Sequence, residues 1–333
     1  MRGRLILSMA TAAFARRQAP GASRFPDGLT VVLIGTGSPM PDRTRASACI
    51  AVAAGEYTFV VDAGEGAARN LGLARIAPGK PDAVFLTHFH SDHIASLGDI
   101  MLVRWSSNAA SRPVEVVGPP GVETVVRGFN EAYRLDTGYR VAHHGHGAMP
   151  PSGAGGFART VELGSEPDAS AVVFDREGLT VTMFRVDHGP VRPAVGYRFD
   201  YQGRSVALSG DTTSTPSIAK NAAGVDVLFH EALSQPMVSV IQRYASNPST
   251  AKIAHDIPGY HSTPEQAAQM AADAGAKRLV FYHIIPPLRS RALYRVFLGD
   301  AGRIYRGPMV IGRDGMMLTL PPRSRTVRAG WRF

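Results

Sequence analysis

The stretch AVFLTHFHSDHIASLGDI, Ala83–Ile100, decides the reading of this chain. An apolar β-branched run ends at Thr87 and is followed at once by His88, His90, Asp92 and His93. Alternation in an extended segment puts His88 and His90 on one side. Asp92 and His93 then fall at the turn into the helix predicted over His93–Trp105. Ligand-type side chains packed this densely at the carboxyl end of a strand sit where open α/β sheets build sites. Imidazole with carboxylate suits zinc, and iron and manganese accept the same donors.

Outward from this segment, short β-branched runs alternate with Gly/Pro turns and helical stretches. Strands are predicted at Thr30–Ile34, Tyr57–Asp62, Ala83–Thr87, Val114–Val117, Leu179–Val186, Val195–Phe199, Ser205–Ser209, Val225–Phe229 and Arg278–Tyr282. Further helices are predicted at Val122–Tyr133 and Thr263–Ala274. The second has Pro264 and Glu265 after a Ser/Thr cap and ends at Gly275. Mixed strands and helices without an internal repeat imply an α/β layered fold. Residues 136–160, with His143, His144 and His146 among glycines and prolines, read as a long loop of the kind that forms lids or substrate walls.

The 333 residues are 44% hydrophobic, enough for a substantial core, and Cys49 is the single cysteine. A disulfide framework and a cysteine-based zinc module are thereby excluded. No run of eighteen apolar residues offers a transmembrane helix. The formal charge of +9 resides at the ends of the chain. Arg2, Arg4, Arg16, Arg17 and Arg24 precede residue 25, Arg323, Arg325, Arg328 and Arg332 follow residue 321, and neither end holds an acid. The body is neutral, so the charge reads as solvated tails and argues against a nucleic-acid partner. Residues 1–24 combine early arginines, an apolar Leu5–Ala15 stretch and a small-x-small Ala13-Phe14-Ala15 site. They read as a weak signal peptide, implying a periplasmic or secreted protein, with a cytoplasmic one as the alternative. Residues 25–333 read as one domain.

Further motifs occur in order: Ile34-Gly35-Thr36-Gly37-Ser38-Pro39, Val61-Asp62-Ala63-Gly64-Glu65-Gly66, Val186-Asp187-His188, Ser209-Gly210-Asp211 and Phe281-Tyr282-His283. With HxHxDH at 88–93, they make residues 30–310 resemble the metallo-β-lactamase superfamily. The resemblance implies an αββα sandwich with two mixed sheets and a two-zinc centre, manganese or iron being possible. His88, His90 and His188 would hold one ion, and Asp92, His93 and His283 the other. Asp211 would bridge the two beside a shared hydroxide. Redox di-iron members have glutamate at the position of His90, so the resemblance implies a hydrolase.

Phe229-His230-Glu231-Ala232 and His261-Ser262-Thr263 resemble the ribonuclease Z group. There a glutamate and a histidine form a proton-donating pair, here Glu231 and His261, and the group implies a homodimer. Bacterial members insert a long Gly/Lys-rich arm between the third histidine and the bridging aspartate. Here His188 and Asp211 are too close for an arm. The lysines, Lys80, Lys220, Lys252 and Lys277, form no cluster. Val186–Phe199 and Gly259–Ala267 resemble the zinc arylsulfatases of the same superfamily. The expectation is therefore a hydrolase of small anionic esters, an aryl or alkyl sulfatase first. A phosphodiesterase or ribonuclease Z-type endonuclease is the alternative, and a lactonase or thioesterase the next. Arg192 would contact the anion as a bidentate donor, and His143 and His144 would line the pocket.

Overall fold

The computed structural model describes residues 25–333, so the leader expected at 1–24 lies outside the described residues. Among the described residues, fifteen strands form two sheets. The first contains β1 (Leu29–Gly35), β2 (Cys49–Ala54), β3 (Tyr57–Val61), β4 (Ala83–Phe85), β5 (Val114–Gly118), β6 (Gly156–Thr160), β14 (Met316–Leu320) and β15 (Arg328–Trp331). Its spatial order is β15-β14-β1-β2-β3-β4-β5-β6. The second contains β7 (Ser170–Arg176), β8 (Leu179–Arg185), β9 (Val195–Tyr201), β10 (Arg204–Leu208), β11 (Val227–Leu233), β12 (Leu279–Ile285) and β13 (Met309–Ile311). Its order is β13-β12-β11-β10-β9-β8-β7. Both sheets are mixed: β3 to β6 and β10 to β13 run parallel, and the other pairs are antiparallel.

Every residue of β11 and β12 is buried, as expected for parallel strands covered on both faces. Between the sheets lie Phe59, Phe85, Tyr197, Phe199 and Phe229, with Phe85 and Tyr197 ring centroids 5.2 Å apart. Outside the first sheet pack helices Ala67–Leu73, Leu97–Asn108 and Val122–Ala132. Outside the second pack Pro264–Asp273 and Ala292–Leu298. This is the αββα sandwich expected from the sequence. Pro264–Asp273 begins with a complete capping box, Thr263 and Gln266 exchanging side-chain and backbone hydrogen bonds.

Two bonds stitch the sheets together near the end of β4. The Tyr197 hydroxyl donates to the Leu86 carbonyl at 2.8 Å, and the Val195 N–H donates to the Thr87 carbonyl at 3.0 Å.

Three sequence expectations change. Residues 136–160 are not a loop: Arg134–Ala148 is helical and residues 156–160 form β6. The helix escaped notice because it buries none of its residues and so has no apolar stripe. The helix expected at His93–Trp105 is two, Ser91–Ile94 and Leu97–Asn108. The basic C-terminus is not wholly a solvated tail. Residues 328–331 pair antiparallel with β14, and the Arg204 guanidinium holds the carbonyls of Pro321 and Thr326.

Candidate metal centre

Five strand ends supply the centre. His88 follows β4, His188 follows β8 and Asp211 follows β10, while Glu231 lies within β11 and His283 within β12. His90, Asp92 and His93 form the turn into the Ser91–Ile94 helix. Gly210 makes the approach of Asp211 possible. Its φ is +63°, and a Cβ there would lie 2.5 Å from the Val195 carbonyl oxygen.

Asp211 is 2% exposed and lies at the middle of a ring of imidazoles. Its Oδ2 is 3.3 Å from His283 Nε2, 3.4 Å from His93 Nε2 and 3.9 Å from both His88 Nε2 and His188 Nε2. Asp92 Oδ2 is 3.1 Å from His283 Nε2 and 3.6 Å from His93 Nε2. His90 Nδ1 lies 3.0 Å from His88 Nε2 and 3.4 Å from His188 Nε2. Three donor groups result, His88/His90/His188/Asp211, Asp92/His93/His283 and Asp211/His261/His283. The seven side chains that the resemblance assigns to two ions lie together, with His261 beside them.

The surroundings fit a metal better than a hydrogen-bond network. His93 Nε2 and Asp211 Oδ1, both facing the ring, are buried without a hydrogen-bond partner, which a folded protein rarely tolerates. The outer ring nitrogens of His93 and His188 are occupied. His93 Nδ1 pairs with Asp62 Oδ2 at 2.9 Å, and His188 Nδ1 donates to the Tyr260 carbonyl at 2.7 Å. Such partners fix the tautomer and leave the inward lone pair for an ion. Burial holds His88, His90 and His188 below the ordinary imidazole range, in the neutral form that ligates. Burial opposes charge on Asp211, yet His283 and His93 hold it well below the usual carboxylate range. Asp92 is pushed down to about 2 by His93 and His283, again against burial. His93 is also opposed by burial, and Asp211, Asp92 and Asp62 raise it well above its ordinary value. The donor set therefore fits two divalent cations.

Glu231 is fully buried beside this ring. Its Oε1 accepts from the Ser262 N–H at 2.9 Å, from His261 Nδ1 at 3.1 Å and from the Thr212 N–H at 3.3 Å. His261 Nδ1 is also 4.0 Å from Asp211 Oδ2. Burial opposes protonation of His261, but Glu231 raises its pKa above the ordinary value. A histidine whose charged form a carboxylate stabilises has its tautomer and orientation fixed by that contact.

Other expected residues lie elsewhere. The Arg192 side chain is 79% exposed, donates to the Gly189 carbonyl and stands 4.0 Å from Asp187. It does not line the cleft over the centre. His143, His144 and His146 are exposed on the Arg134–Ala148 helix and do not line it either. His230 is buried, its Nδ1 against the Glu231 carbonyl oxygen. Sequence reasoning missed Asp62 as the partner of His93. The residue was visible in the Val61–Gly66 motif, but its role depends on β3 pairing with β4. Asp62 Oδ1 accepts from the Thr87 N–H at 2.8 Å, tying the two strand ends together.

The β-lactamase superfamily domain matches residues 57–284. Ribonuclease Z of Mycolicibacterium gilvum (strain PYR-GCK) is 37% identical over 263 residues, covering 78% of this chain and 86% of that protein. Ribonuclease Z of Mycobacterium avium (strain 104) is 37% identical over 262 residues, covering 78% and 87%. Among solved structures, the metallo-β-lactamase fold protein YhfI of Bacillus subtilis aligns with a TM-score of 0.63 at 19% identity, covering 91% of this chain and all of that one. The short form of human tRNase Z aligns at 0.62 and 23%, covering 88% and 99%. At these identities the structural likenesses show the fold alone. The curated relatives lend no support to the arylsulfatase resemblance, and they weigh against excluding nucleic acid.

Proposed function

The chain belongs to the metallo-β-lactamase superfamily, and on that premise we propose that it is a dinuclear-metal phosphodiesterase of the ribonuclease Z type. The observation that carries this reading is the buried Glu231–His261 pair set against Asp211. Relatives 37% identical bear the name ribonuclease Z, which gives phosphoric diesters precedence over the sulfuric esters expected from the sequence.

His88, His90 and His188 would hold one cation and Asp92, His93 and His283 the other, with Asp211 between them. Zinc is the ion we propose; manganese and iron suit the same donors. Such ions lower the pKa of water and neutralise charge that develops on a phosphoryl oxygen. The remaining work falls to the chain. Asp62 and the Tyr260 carbonyl keep two imidazoles oriented. Glu231 keeps the proton of His261 on Nδ1 and stabilises the imidazolium, so that Nε2 exchanges a proton with the departing oxygen. Delivery of that proton lets a poor leaving group depart as an alcohol.

The test compares kcat/KM of zinc-loaded protein for bis-p-nitrophenyl phosphate and p-nitrophenyl sulfate, beside cleavage of a 3′-extended precursor transfer RNA. A phosphodiester preference of about a hundredfold or more, ~2.7 kcal/mol in the transition state, supports the proposal. The reverse preference returns the sulfatase reading. Asp211→Ala should abolish turnover and reduce bound metal, and full activity without Asp211 would refute the dinuclear centre.

A further inference from the structure

The cleft over the centre is chemically two-sided. It measures about 250 Å³, and its lining includes the ionisable side chains of His90, Asp92, Asp211, His261 and His283. The lining also includes Pro39, Met40, Ile253, Ile257 and Ile285, and the ring of Tyr260, which packs on His188 and His261 with centroids 5.3 and 5.0 Å apart. Among the described residues no lysine or arginine lines the cleft. Ile253 sits on the Pro248–Asp256 helix, which packs with Gln235–Arg243 as a pair beside the cleft. Ile253 is 54% exposed although it borders the reactive centre. Met40 and Ile257 pack on the small apolar cluster Leu233, Val238, Ala254 and Ile285 that fixes this wall in place.

We infer that this apolar wall is a substrate subsite that receives a flat apolar ring attached to the scissile ester, directly beside the metal-binding wall. The inference deepens the phosphodiesterase reading and rests on it. A tetrahedral anion placed among the imidazoles leaves its organic substituent within reach of Met40, Ile253 and Tyr260, since both sets of residues line one cleft. Without a cation in the lining, selection for the substituent rests on apolar contact and on stacking against Tyr260. A simple aryl group and a nucleobase share this chemistry. The half-exposed Ile253 is then a surface waiting for its contact, placed where a substrate completes the burial.

Binding of non-hydrolysable anions tests the subsite without turnover. Phenylphosphonate and methylphosphonate present the same anion and differ in the ring. Calorimetry on zinc-loaded protein should give phenylphosphonate about a tenfold or greater advantage in Kd, as expected for burying much of one aromatic face. Ile253→Asp, at an exposed helix position that tolerates a charge, should bring the ratio to within about threefold, with Met40→Asp as the second variant; tenfold is ~1.4 kcal/mol. Equal affinities in the parent protein, or a ratio that neither variant moves, overturns the subsite. Uridine 5′-monophosphate against ribose 5-phosphate repeats the measurement with a nucleobase and separates the two sources of the ring. Failure of the phosphodiesterase reading registers separately, as sulfate-ester turnover without phosphodiester turnover, and leaves these binding ratios standing.

Discussion

Replacing Glu231 by Gln isolates what the carboxylate does for His261. The side chain keeps its shape, and an amide oxygen can still accept from the Ser262 and Thr212 N–H groups. What disappears is the negative charge 3.1 Å from His261 Nδ1. Two unit charges at that distance attract by about 5 kcal/mol at an effective dielectric of 20, which sets the ceiling. A general acid as a whole contributes about 10²–10⁴-fold. The expected loss in kcat is therefore about a hundredfold for a diester with an alkoxide leaving group, and under about tenfold for a p-nitrophenyl ester, which departs without a proton. The pH profile supplies a second readout. Glu231 raises the pKa of His261, and a general acid works only while protonated. Activity on the alkoxide substrate should fall as pH rises through that pKa, and Glu231→Gln should move the limb to lower pH. Equal losses on both substrates, with melting temperature and bound metal unchanged, would remove the acid role from His261. An unmoved alkaline limb would remove the tuning role from Glu231.

Asp62→Asn removes the carboxylate that orients His93, so zinc affinity should fall by about 10–100-fold, read by competition with a chromophoric chelator; unchanged affinity would make Asp62 a packing residue only. Arg204 and Asp226 form a buried pair at 2.9 Å, with Lys277 on the other carboxylate oxygen. Arg204→Ala should cost about 3 kcal/mol in denaturant unfolding because a buried carboxylate loses its main partner, and a loss below about 1 kcal/mol would show the pair to be dispensable. Burial pushes the Asp226 carboxyl up, but Arg204, Lys277 and the Ser205 N–H hold it below the usual range. Its contribution is present above the unfolded value of about 3.9 and disappears as pH falls through the lower folded value. Asp226→Asn should therefore flatten the acid limb of the stability curve below about pH 4.

Much of the centre was legible because its chemistry is local. His88, His90, Asp92 and His93 lie within a single strand-to-helix turn, and residue type and spacing suffice to mark them. The predicted strands all correspond to observed ones because apolar β-branched runs between turns signal buried strands directly. What the sequence concealed depends on pairing across distance. Asp62 reaches His93 only because β3 lies beside β4. The wall built from Met40, Ile253 and Ile285 joins residues from three separate parts of the chain. Arg192 illustrates the opposite error. Four residues past His188 is near in sequence, but the chain there turns the guanidinium toward Asp187 and solvent. The Arg134–Ala148 helix lacks a buried face, so periodicity had nothing to detect.

The two sheets contribute different halves of the metal centre. His88, His90, Asp92 and His93 follow the carboxyl end of β4 in the first sheet, and His188, Asp211 and His283 lie in or just beyond the carboxyl-terminal parts of β8, β10 and β12 in the second. The spacing between the halves is therefore set by the thickness of the sandwich. The Tyr197 hydroxyl on Leu86 and the Val195 N–H on Thr87 act as a gauge block at that gap, one and two residues from His88. Ions held across it would rivet the layers together, and their binding energy would appear as resistance to unfolding. Trimming Tyr197 to Phe, which removes the bond to Leu86 and no donor of the centre, would then loosen the jaw rather than blunt its teeth.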